Sequence, residues 1–390
     1  MLLIRAAISL ALLLLPWSAA AERIWAELDS PLQREVVREP VGLVEVRGWA
    51  GTGQRGQHDV VLVIDRTAST FEPSGADVDG DGVVGRTVRI GNVGNMRRTL
   101  EVVSDPDDTI ASAELVAARR LIERLDPTST RMGLVTFART EKVLARIGTP
   151  AEDLLSSLDS LPSRPGPGGT YFYGAIIAAI KVFEQAPPDG GNRHRSIIFL
   201  SDGLPNRPSP PAAAAKAAVR ASQHAANARI RIYSFALGPE VASHPEVFLR
   251  MAEANGGELL IVEDPGGIID FVPHMSLTAL EGVEIDNLSM SRSARAVRLF
   301  PDGTFDGYVP LVPGENLLRI TIRGEAGGTH TIDRRVVFEK TPSNTPEGKR
   351  RLASLLKELQ IRTLETQLAE QAKRKREYVI KRQLEITVEQ

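Results

Sequence analysis

The chain contains no cysteine, which excludes disulfide bonds and metal sites built on thiolates. Its 47 basic and 49 acidic residues nearly balance, so the overall charge does not indicate a nucleic-acid partner. The H-E-x-x-H motif of zinc proteases and the G-x-x-x-x-G-K-[ST] loop of nucleotide hydrolases are also missing. The remaining composition, 42% hydrophobic and 25% charged over 390 residues, predicts a globular protein of two or three domains.

Long apolar runs are scarce, and the main one lies at the N-terminus. Residues 1–21 combine Arg5, the run ISLALLLLPW and SAAA before Glu22, a pattern typical of a cleaved signal peptide. An uncleaved anchor is the alternative, whereas a lipoprotein would need a cysteine at the cut. We therefore predict a periplasmic or secreted protein whose mature chain has no transmembrane span.

Three separated segments place oxygen-bearing side chains after apolar strands or in a glycine-rich turn. VVLVIDRTAS supplies Asp65, Thr67 and Ser69, GPGGTYFYGAII supplies Thr170, and SIIFLSDGLPN supplies Asp202. The apolar runs predict buried parallel strands, whose carboxyl ends meet at one edge of a sheet. Such hard oxygen donors favour Mg²⁺ or Mn²⁺ over Zn²⁺. Taken singly, each segment could equally be an Asx-turn or a helix cap.

Together, these segments resemble a von Willebrand factor type A domain with a metal-ion-dependent adhesion site, as found in exported bacterial proteins. The family pattern is D-x-S-x-S, a distant Thr and a later Asp, and Thr67 departs from it by replacing Ser. The resemblance covers residues 58–277 and implies that the five residues named above hold a divalent cation. It also implies a position on that ion that stays open to an acidic side chain of a partner protein.

Strands that alternate with helices predict an α/β fold with a doubly wound, mostly parallel sheet over residues 58–277. Apolar spacing predicts long helices at residues 110–125, 170–185 and 211–227, a short helix at 151–161 and a last helix at 267–277. Residues 71–109 interrupt this pattern directly after the first candidate metal loop. We therefore expect this insertion to border the binding face and to contribute to the choice of partner.

The insertion contains DVDGDG, in which Asp77, Asp79 and Asp81 precede a glycine as in a calcium loop. A complete EF-hand needs Glu at the twelfth position, where the chain has Val88. The sequence DPDDT from residue 105 could complete a looser Ca²⁺ site from across the loop. The alternative is a solvated Asp/Gly turn of a hairpin.

Residues 278–340 lose the helical period and predict short strands separated by Gly, Asn and Pro turns. The run PDGTFDGYVPLVPGENLL resembles bacterial immunoglobulin-like domains, which begin with a strand similar to VEVRGWA in the N-terminal segment, residues 22–57. We therefore predict a small β-sandwich whose first strand, residues 41–52, lies before the α/β domain. Two tandem domains with a stray N-terminal strand are the alternative.

Residues 341–390 predict a linker followed by one long helix. Leucines at positions 352, 356, 359, 364 and 368 form an apolar stripe, but the spacing departs from a strict heptad. Such a helix could form an oligomer with copies of itself or bind a helix of a partner protein. The KRKR run at 373–376 is flanked by glutamates, which favours a solvated face over a nucleic-acid site.

The sequence therefore predicts an exported, metal-dependent protein-binding module that is not an enzyme. A structural scaffold acting through the β-sandwich and the C-terminal helix is the second hypothesis, and a metal-assisted hydrolase is the third. A phosphatase of the haloacid dehalogenase type is disfavoured because its second catalytic aspartate would stand at Thr67.

Overall fold

The computed structural model describes residues 23–53, 57–90, 100–166, 168–188, 193–325 and 327–388. The predicted signal peptide, residues 1–21, lies outside them. Within the described ranges, no helix has the length and apolar character needed to cross a membrane.

The segment before the α/β domain holds three strands, where the sequence predicted one. They are β1 (Ile24–Ser30), β2 (Glu35–Glu39) and β3 (Leu43–Thr52). The predicted strand corresponds to β3. The first two are short and separated by Pro31 and a turn, so their alternation is too brief to stand out from the sequence.

The α/β domain contains the elements that the sequence predicted, with a shorter last helix and several additional short elements. Its strands are β4 (Gln57–Asp65), β5 (Thr87–Ile90), β6 (Leu100–Val103), β7 (Thr130–Phe137), β8 (Glu141–Ala145), β9 (Arg193–Ser201), β10 (Ile230–Leu237) and β11 (Glu258–Val262). Its helices are α1 (Ile110–Arg124), α2 (Ala151–Asp159), α3 (Phe172–Glu184), α4 (Pro211–Asn227), α5 (Pro239–Ser243), α6 (Glu246–Asn255) and α7 (Ile268–Phe271).

One difference is the short last helix. The prediction of a helix over 267–277 is wrong in extent, because α7 is a single turn between two 3₁₀ turns that contain Pro265 and Pro273. Proline lacks the backbone N–H that a continuous α-helix requires. The short elements β5, β6, β8 and α5 were also not predicted from the sequence, and β8 is a partly exposed strand.

The main sheet has six strands in the order β11-β10-β9-β4-β7-β8. All its pairings are parallel except that of β8, which lies antiparallel to β7 at one edge. Both faces of β4 are buried: Leu62 and Ile64 pack on the side of α1, and Val61 and Val63 pack on the side of α3. The uninterrupted apolar run of this strand follows from helices on both faces.

The rest of the chain forms two further sheets, which we call the flanking sheets. Their C-terminal strands are β12 (Leu280–Asn287), β13 (Arg292–Ser293), β14 (Arg295–Leu299), β15 (Thr304–Pro310), β16 (Gly314–Gly324) and β17 (Thr329–Lys340). One sheet has the order β1-β3-β15-β14 and the other β13-β12-β16-β17-β2. Strands from before and after the α/β domain thus pair with each other, β3 with β15 and β2 with β17.

The two flanking sheets bury their apolar faces in one shared core. Val46 and Phe305 of the first sheet belong to the same buried cluster as Ile285, Ile320 and Val336 of the second. Alternation along β16 produces this face, because every second residue from Leu318 to Ile322 is fully buried.

A buried carboxylate links the flanking sheets to the α/β domain. Asp302, in the turn between β14 and β15, is 2% exposed. Its Oδ2 accepts hydrogen bonds from the hydroxyls of Ser129 (2.7 Å) and Thr130 (3.2 Å) and from the amide of Asp126 (3.2 Å), at the start of β7. Its Oδ1 accepts from both the amide and the hydroxyl of Thr304.

We expect Asp302→Ala to lower the free energy of unfolding by about 2–4 kcal/mol, because it leaves several buried donors without an acceptor. Chemical denaturation at equilibrium measures the loss. The matched control is Asp333→Ala, which removes an exposed pair with Arg319 and should cost under about 1 kcal/mol. Equal stability of the two variants would contradict a coupling role for Asp302.

The predicted C-terminal helix is present as α8 (Pro346–Val388), 43 residues long. Its first half is held to the flanking sheets by ion pairs. Arg351 pairs with Glu39, and Arg362 pairs with Glu45 and Asp306. Arg362 is 9% exposed and its guanidinium carbon lies 4.8 Å from the centre of the Tyr308 ring, so this part of the helix belongs to the folded body.

Candidate metal centre

The centre lies where two adjacent parallel strands end. Asp65 is the last residue of β4 and Ser201 is the last residue of β9, and the two strands pair in parallel. Their following loops therefore leave the same edge of the sheet, which is the usual position of ligand sites in open α/β sheets. Asp202 follows Ser201 directly and enters the same space.

The Asp65 carboxylate is fully buried and held at both oxygens. Oδ1 accepts a hydrogen bond from the amide of Thr67 at 2.8 Å, and Oδ2 accepts one from the hydroxyl of Ser201 at 2.6 Å. The first bond closes the loop after β4 over the carboxylate. Ser201 was not among the predicted site residues, although it stands beside Asp202 in the sequence.

Two hydroxyl groups and one main-chain amide connect the two aspartates. The Oγ1 of Thr67 lies 3.1 Å from the Oγ of Ser69, which donates to Oδ1 of Asp202 at 3.0 Å. The side-chain oxygens of Thr67, Ser69 and Asp202 are thus linked, and Asp65 joins them through the amide of Thr67. Thr67 is 4% exposed, so its extra methyl group is buried while its hydroxyl contacts Ser69.

The fifth predicted residue, Thr170, is held against the loop that follows Asp202. Its amide donates to Oδ1 of Asn206 at 2.8 Å, and its carbonyl accepts from the amides of Asn206 and Arg207. Gly169 precedes it with a φ of +118°, and an added Cβ would lie 3.0 Å from the Arg207 side chain. The glycine-rich turn therefore permits this close approach.

The hydroxyl of Thr170 lies 3.5 Å from Nδ2 of Asn206. Within the described part of the chain, this hydroxyl forms no hydrogen bond with the other four predicted residues. The structure therefore joins the side chains of Thr67, Ser69 and Asp202 directly and links the Asp65 carboxylate to them through the Thr67 amide. Thr170 lies at the same edge, held through Asn206 and through a bond from the Gly166 amide to the Arg66 carbonyl.

Burial raises the pKa of both aspartates. Loss of solvation raises the pKa of Asp65 to about 6, against the lowering effect of its hydrogen bonds to Ser201 and Thr67. Burial and the nearby Asp65 carboxylate raise the pKa of Asp202 to about 8. No salt bridge among the described residues includes either group. Two buried carboxylates that repel each other and bond to hydroxyls fit a divalent cation, which would supply the compensating charge.

The raised pKa values predict how the ion-free protein responds to pH. Both groups bind more protons in the folded than in the unfolded chain, so the free energy of unfolding in EDTA should fall as pH rises towards 8. The buried His58, whose pKa is lowered to about 4, acts oppositely below pH 6.5, so the measurement starts there.

We compare denaturation of the wild type and of Asp202→Asn in EDTA at pH 6.5 and at pH 8. The difference between the two proteins isolates the effect of the Asp202 carboxyl group. The wild type should lose more stability than the variant over this range, by on the order of 1 kcal/mol, and added Mg²⁺ should restore it. A wild type that gains stability relative to the variant as pH rises would contradict the assignment.

Glu114, which lies on α1 and is fully buried, was not predicted as a site residue from the sequence. Asp65, Asp202 and Arg66 are the charged groups that act on its carboxyl. A signal existed in the sequence, because Glu114 interrupts the apolar stripe that runs from Ile110 to Leu121 on the buried face of the helix.

A second acidic group lies in the insertion. Carboxylate oxygens of Asp77, Asp79 and Asp108 lie within 4.8 Å of one another, and so do those of Asp79, Asp81 and Asp105. The predicted loop residues and the DPDDT segment therefore meet. The amides of Gly80 and Gly82 donate to the Asp77 carboxylate, which curls the loop around it. No described ion pair involves these five aspartates.

A family model matches part of the α/β domain. The model of the von Willebrand factor type A domain matches residues 113–272. The match includes Thr170 and Asp202 and begins after Asp65, Thr67 and Ser69. Their strand, β4, joins the same sheet through parallel pairing with β7 and β9. A search of curated proteins found no match.

Solved structures similar to this chain have low identity to it. They include the conserved hypothetical protein BatB from Bacteroides thetaiotaomicron, with 16% identity and a TM-score of 0.37 over 53% of this chain and 90% of that one. The von Willebrand factor domain of the type V pili tip protein Mfa5 from Porphyromonas gingivalis has 13% identity and a TM-score of 0.36, over 56% and 94%.

Proximal thread matrix protein 1 from the mussel byssus, solved with a zinc-occupied metal-ion-dependent adhesion site, has 14% identity and a TM-score of 0.36 over 54% of this chain and 42% of that one. The family match decides the assignment. Residues 113–272 belong to a von Willebrand factor type A domain.

Proposed function

We propose that this chain is an exported binding protein, not an enzyme, which captures an acidic side chain of a partner protein through a divalent cation at the metal centre. One observation carries the proposal: Asp65, Thr67, Ser69 and Asp202 form one hydrogen-bonded group at the carboxyl edge of the sheet, linked by the Thr67 amide and by the hydroxyls of Thr67 and Ser69. Domains of this family commonly mediate protein–protein interactions.

In this proposal the hydroxyls of Thr67, Ser69 and Thr170 hold the ion, and Asp65 and Asp202 hold it directly or through water. The all-oxygen donor set favours Mg²⁺ or Mn²⁺. When bound, the ion supplies positive charge that attracts a carboxylate from the partner. The residues around it keep the carboxylates buried and aligned, as the bond from Ser201 to Asp65 illustrates.

A pull-down with the mature protein tests the proposal. Proteins retained in Mg²⁺ should be released by EDTA and should not bind Asp65→Asn, which keeps the size of the side chain. Purified retained proteins should then lose binding when their exposed acidic residues at the contact are replaced by amides. Retention that is unaffected by EDTA and by Asp65→Asn would overturn the proposal.

A truncation distinguishes the metal-dependent binding protein from the second hypothesis, a scaffold that acts through the flanking sheets and α8. Removing residues 371–390 leaves the pairs of Arg351 and Arg362 with the flanking sheets intact. Partner loss on truncation but not in Asp65→Asn would favour the scaffold, including a helix-mediated oligomer. Metal-dependent turnover that disappears in Asp202→Ala would favour the third hypothesis, a hydrolase.

The insertion is proposed to hold Ca²⁺ on Asp77, Asp79 and Asp81, with Asp105 and Asp108 contributing from the other strand of the loop. We expect Asp79→Asn to remove Ca²⁺ binding here, because Asp79 belongs to both groups of close carboxylates. Calorimetric titration with Ca²⁺ measures this, and Asp202→Asn is the matched control that should keep the site. If Asp79→Asn leaves Ca²⁺ binding unchanged, the insertion is not the Ca²⁺ site.

The domain organisation is proposed to be an immunoglobulin-like sandwich interrupted by the α/β domain. Residues 22–57 and 278–340 would form the sandwich, residues 58–277 the type A domain with its insertion at 71–109, and residues 341–390 the linker and helix. The pairing of β3 with β15 and of β2 with β17 supports this arrangement over two tandem domains. We further propose that the chain is exported, because residues 1–21 have the pattern of a cleaved signal peptide. N-terminal sequencing of the mature protein should then start at Glu22.

A further inference from the structure

Glu114 is an acidic side chain with no evident structural partner. It lies on α1 between Ala113 and Ala117, residues that are fully buried against the main sheet, and is itself 0% exposed. Neither carboxylate oxygen has a hydrogen bond of normal geometry to the described residues, although the backbone of Asp65 faces it. A buried carboxyl without a partner is costly and requires an explanation.

The surroundings of Glu114 point to the metal centre. The charged groups that act on it are Asp65 and Asp202, which raise its pKa in addition to the effect of burial, and Arg66, which lowers it. Arg66 is 7% exposed and donates to the carbonyl of Pro162, and among the described residues it forms no hydrogen bond with Glu114. Glu114 therefore faces two acids that repel it and one guanidinium that attracts it without direct contact.

A bound divalent cation would reverse this balance. The carboxylates of Asp65, Asp202 and Glu114 together with the guanidinium of Arg66 leave a formal charge of −2 in a buried volume. One divalent cation neutralises that charge. Without Glu114 the same group would carry a single negative charge, and the ion would leave an excess of positive charge in a medium that solvates charge poorly.

We propose that Glu114 is a third carboxylate of the metal centre, whose charge acts on the divalent cation held between Asp65 and Asp202. This inference rests on the proposed metal site and adds to it a residue outside the D-x-T-x-S, Thr and Asp pattern. Glu114 serves as a charge-compensating residue that strengthens ion binding, and the hydroxyls of Thr67 and Ser69 keep their positions around the ion.

Titration of the full mature chain with MgCl₂ and with MnCl₂ tests the proposal. Glu114→Gln keeps the size and removes the charge, and we expect it to weaken ion binding about 10–100-fold. Glu123→Gln is the matched control, because Glu123 is an exposed glutamate on the same helix. Glu114→Met removes the charge without burying an unpaired amide, and Glu114→Asp should keep more affinity than either.

The thermal unfolding temperature in EDTA reports the fold independently. If Glu114→Gln unfolds like the wild type without ion but gains less stability from added Mg²⁺, the proposal holds. Should Glu114→Gln fail to fold, Glu114→Met supplies the same comparison. Wild-type ion affinity in the folded Glu114→Gln or Glu114→Met overturns the proposal.

Comparing the wild type with Asp202→Asn shows whether only the inference on Glu114 is wrong or whether the proposed metal site itself is wrong. If Asp202→Asn removes ion binding but the Glu114 variants do not weaken it, only the inference on Glu114 is wrong. If Asp202→Asn binds the ion as well as the wild type does, the metal site is absent, and the inference on Glu114 falls with it.

Discussion

Replacing Asp202 with asparagine is expected to lower the affinity of the protein for Mg²⁺ and Mn²⁺ at least about 100-fold, or roughly 2.7 kcal/mol. The amide is nearly isosteric with the carboxyl group but supplies no charge to the ion. It can still accept the hydrogen bond that Ser69 donates to Oδ1, so the loop after β4 should stay in place. Isothermal titration calorimetry with each ion measures the loss.

The same substitution should not weaken the ion-free fold. Burial and the Asp65 carboxylate raise the pKa of Asp202 to about 8, which means that its charged form is unfavourable in the absence of a cation. Asp202→Asn should therefore be as stable as the wild type in EDTA at pH 8, or more stable. A substitution that lowers ion affinity while it preserves or raises stability in EDTA cannot act through misfolding.

Asp264 provides the matched control for Asp202. It is an exposed aspartate that follows β11 at the same edge of the sheet. Asp264→Asn should keep wild-type ion affinity. If Asp202→Asn also kept wild-type ion affinity, the hydrogen-bonded group would only stabilise the loop after β4. The proposed function would then lose its basis.

Asp59 is the site of the second large effect, on stability rather than on ion binding. It lies near the start of β4 and is 1% exposed. Its Oδ1 accepts from Nε of Arg131 (2.8 Å) and of Arg193 (2.7 Å), and its Oδ2 accepts from Nη2 of Arg131 (2.8 Å). One buried carboxylate thus compensates two guanidinium groups from the strands on either side.

We expect Asp59→Ala to lower the free energy of unfolding by about 3–5 kcal/mol, because it removes the buried carboxylate that pairs with both guanidinium groups. The Arg193 side chain is only 8% exposed, so water cannot replace the lost partner fully. Urea denaturation monitored by circular dichroism measures the change. Ion affinity at the opposite end of β4 should not change in the fraction that stays folded.

Two further variants test the reason for this loss. Asp159→Ala removes the exposed pair of Asp159 with Arg119 in the same domain and should cost under about 1 kcal/mol. Replacing Asp59, Arg131 and Arg193 together with apolar residues of similar volume should recover most of the stability. If Asp59→Ala were no more costly than Asp159→Ala, the buried pairs would contribute specificity rather than stability.

Much of the candidate site could be named from the sequence because its residues directly follow strands. A buried parallel strand has a strong local signature, and the position of its carboxyl end places the next residues at the ligand edge. Asp65 and Asp202 were predicted in this way, since each stands at or just past the end of an apolar run. The helices α1, α3 and α4 were predicted from apolar spacing for a similar reason, because that spacing reports burial of one face.

Other features depend on contacts between residues far apart in the chain. Nothing near Glu114 in the sequence indicates that α1 carries it towards Asp65 and Asp202. Likewise, Asp108 reaches Asp79 only because the insertion folds back on itself. The strands β1, β2 and β8 are short, and their partners rather than their own periodicity hold them in sheets.

The local sequence is enough to predict candidate ligands for a hard cation and the apolar strands that carry them, because both depend only on a strand and its loop. Only the folded structure shows that strands from both ends of the chain complete the flanking sheets, and that Asp302 bonds these sheets to the α/β domain. The fold also brings the buried Glu114 of α1 close to Asp65. These contacts form only when the whole chain packs, because burial and charge compensation act between residues that are far apart in the sequence.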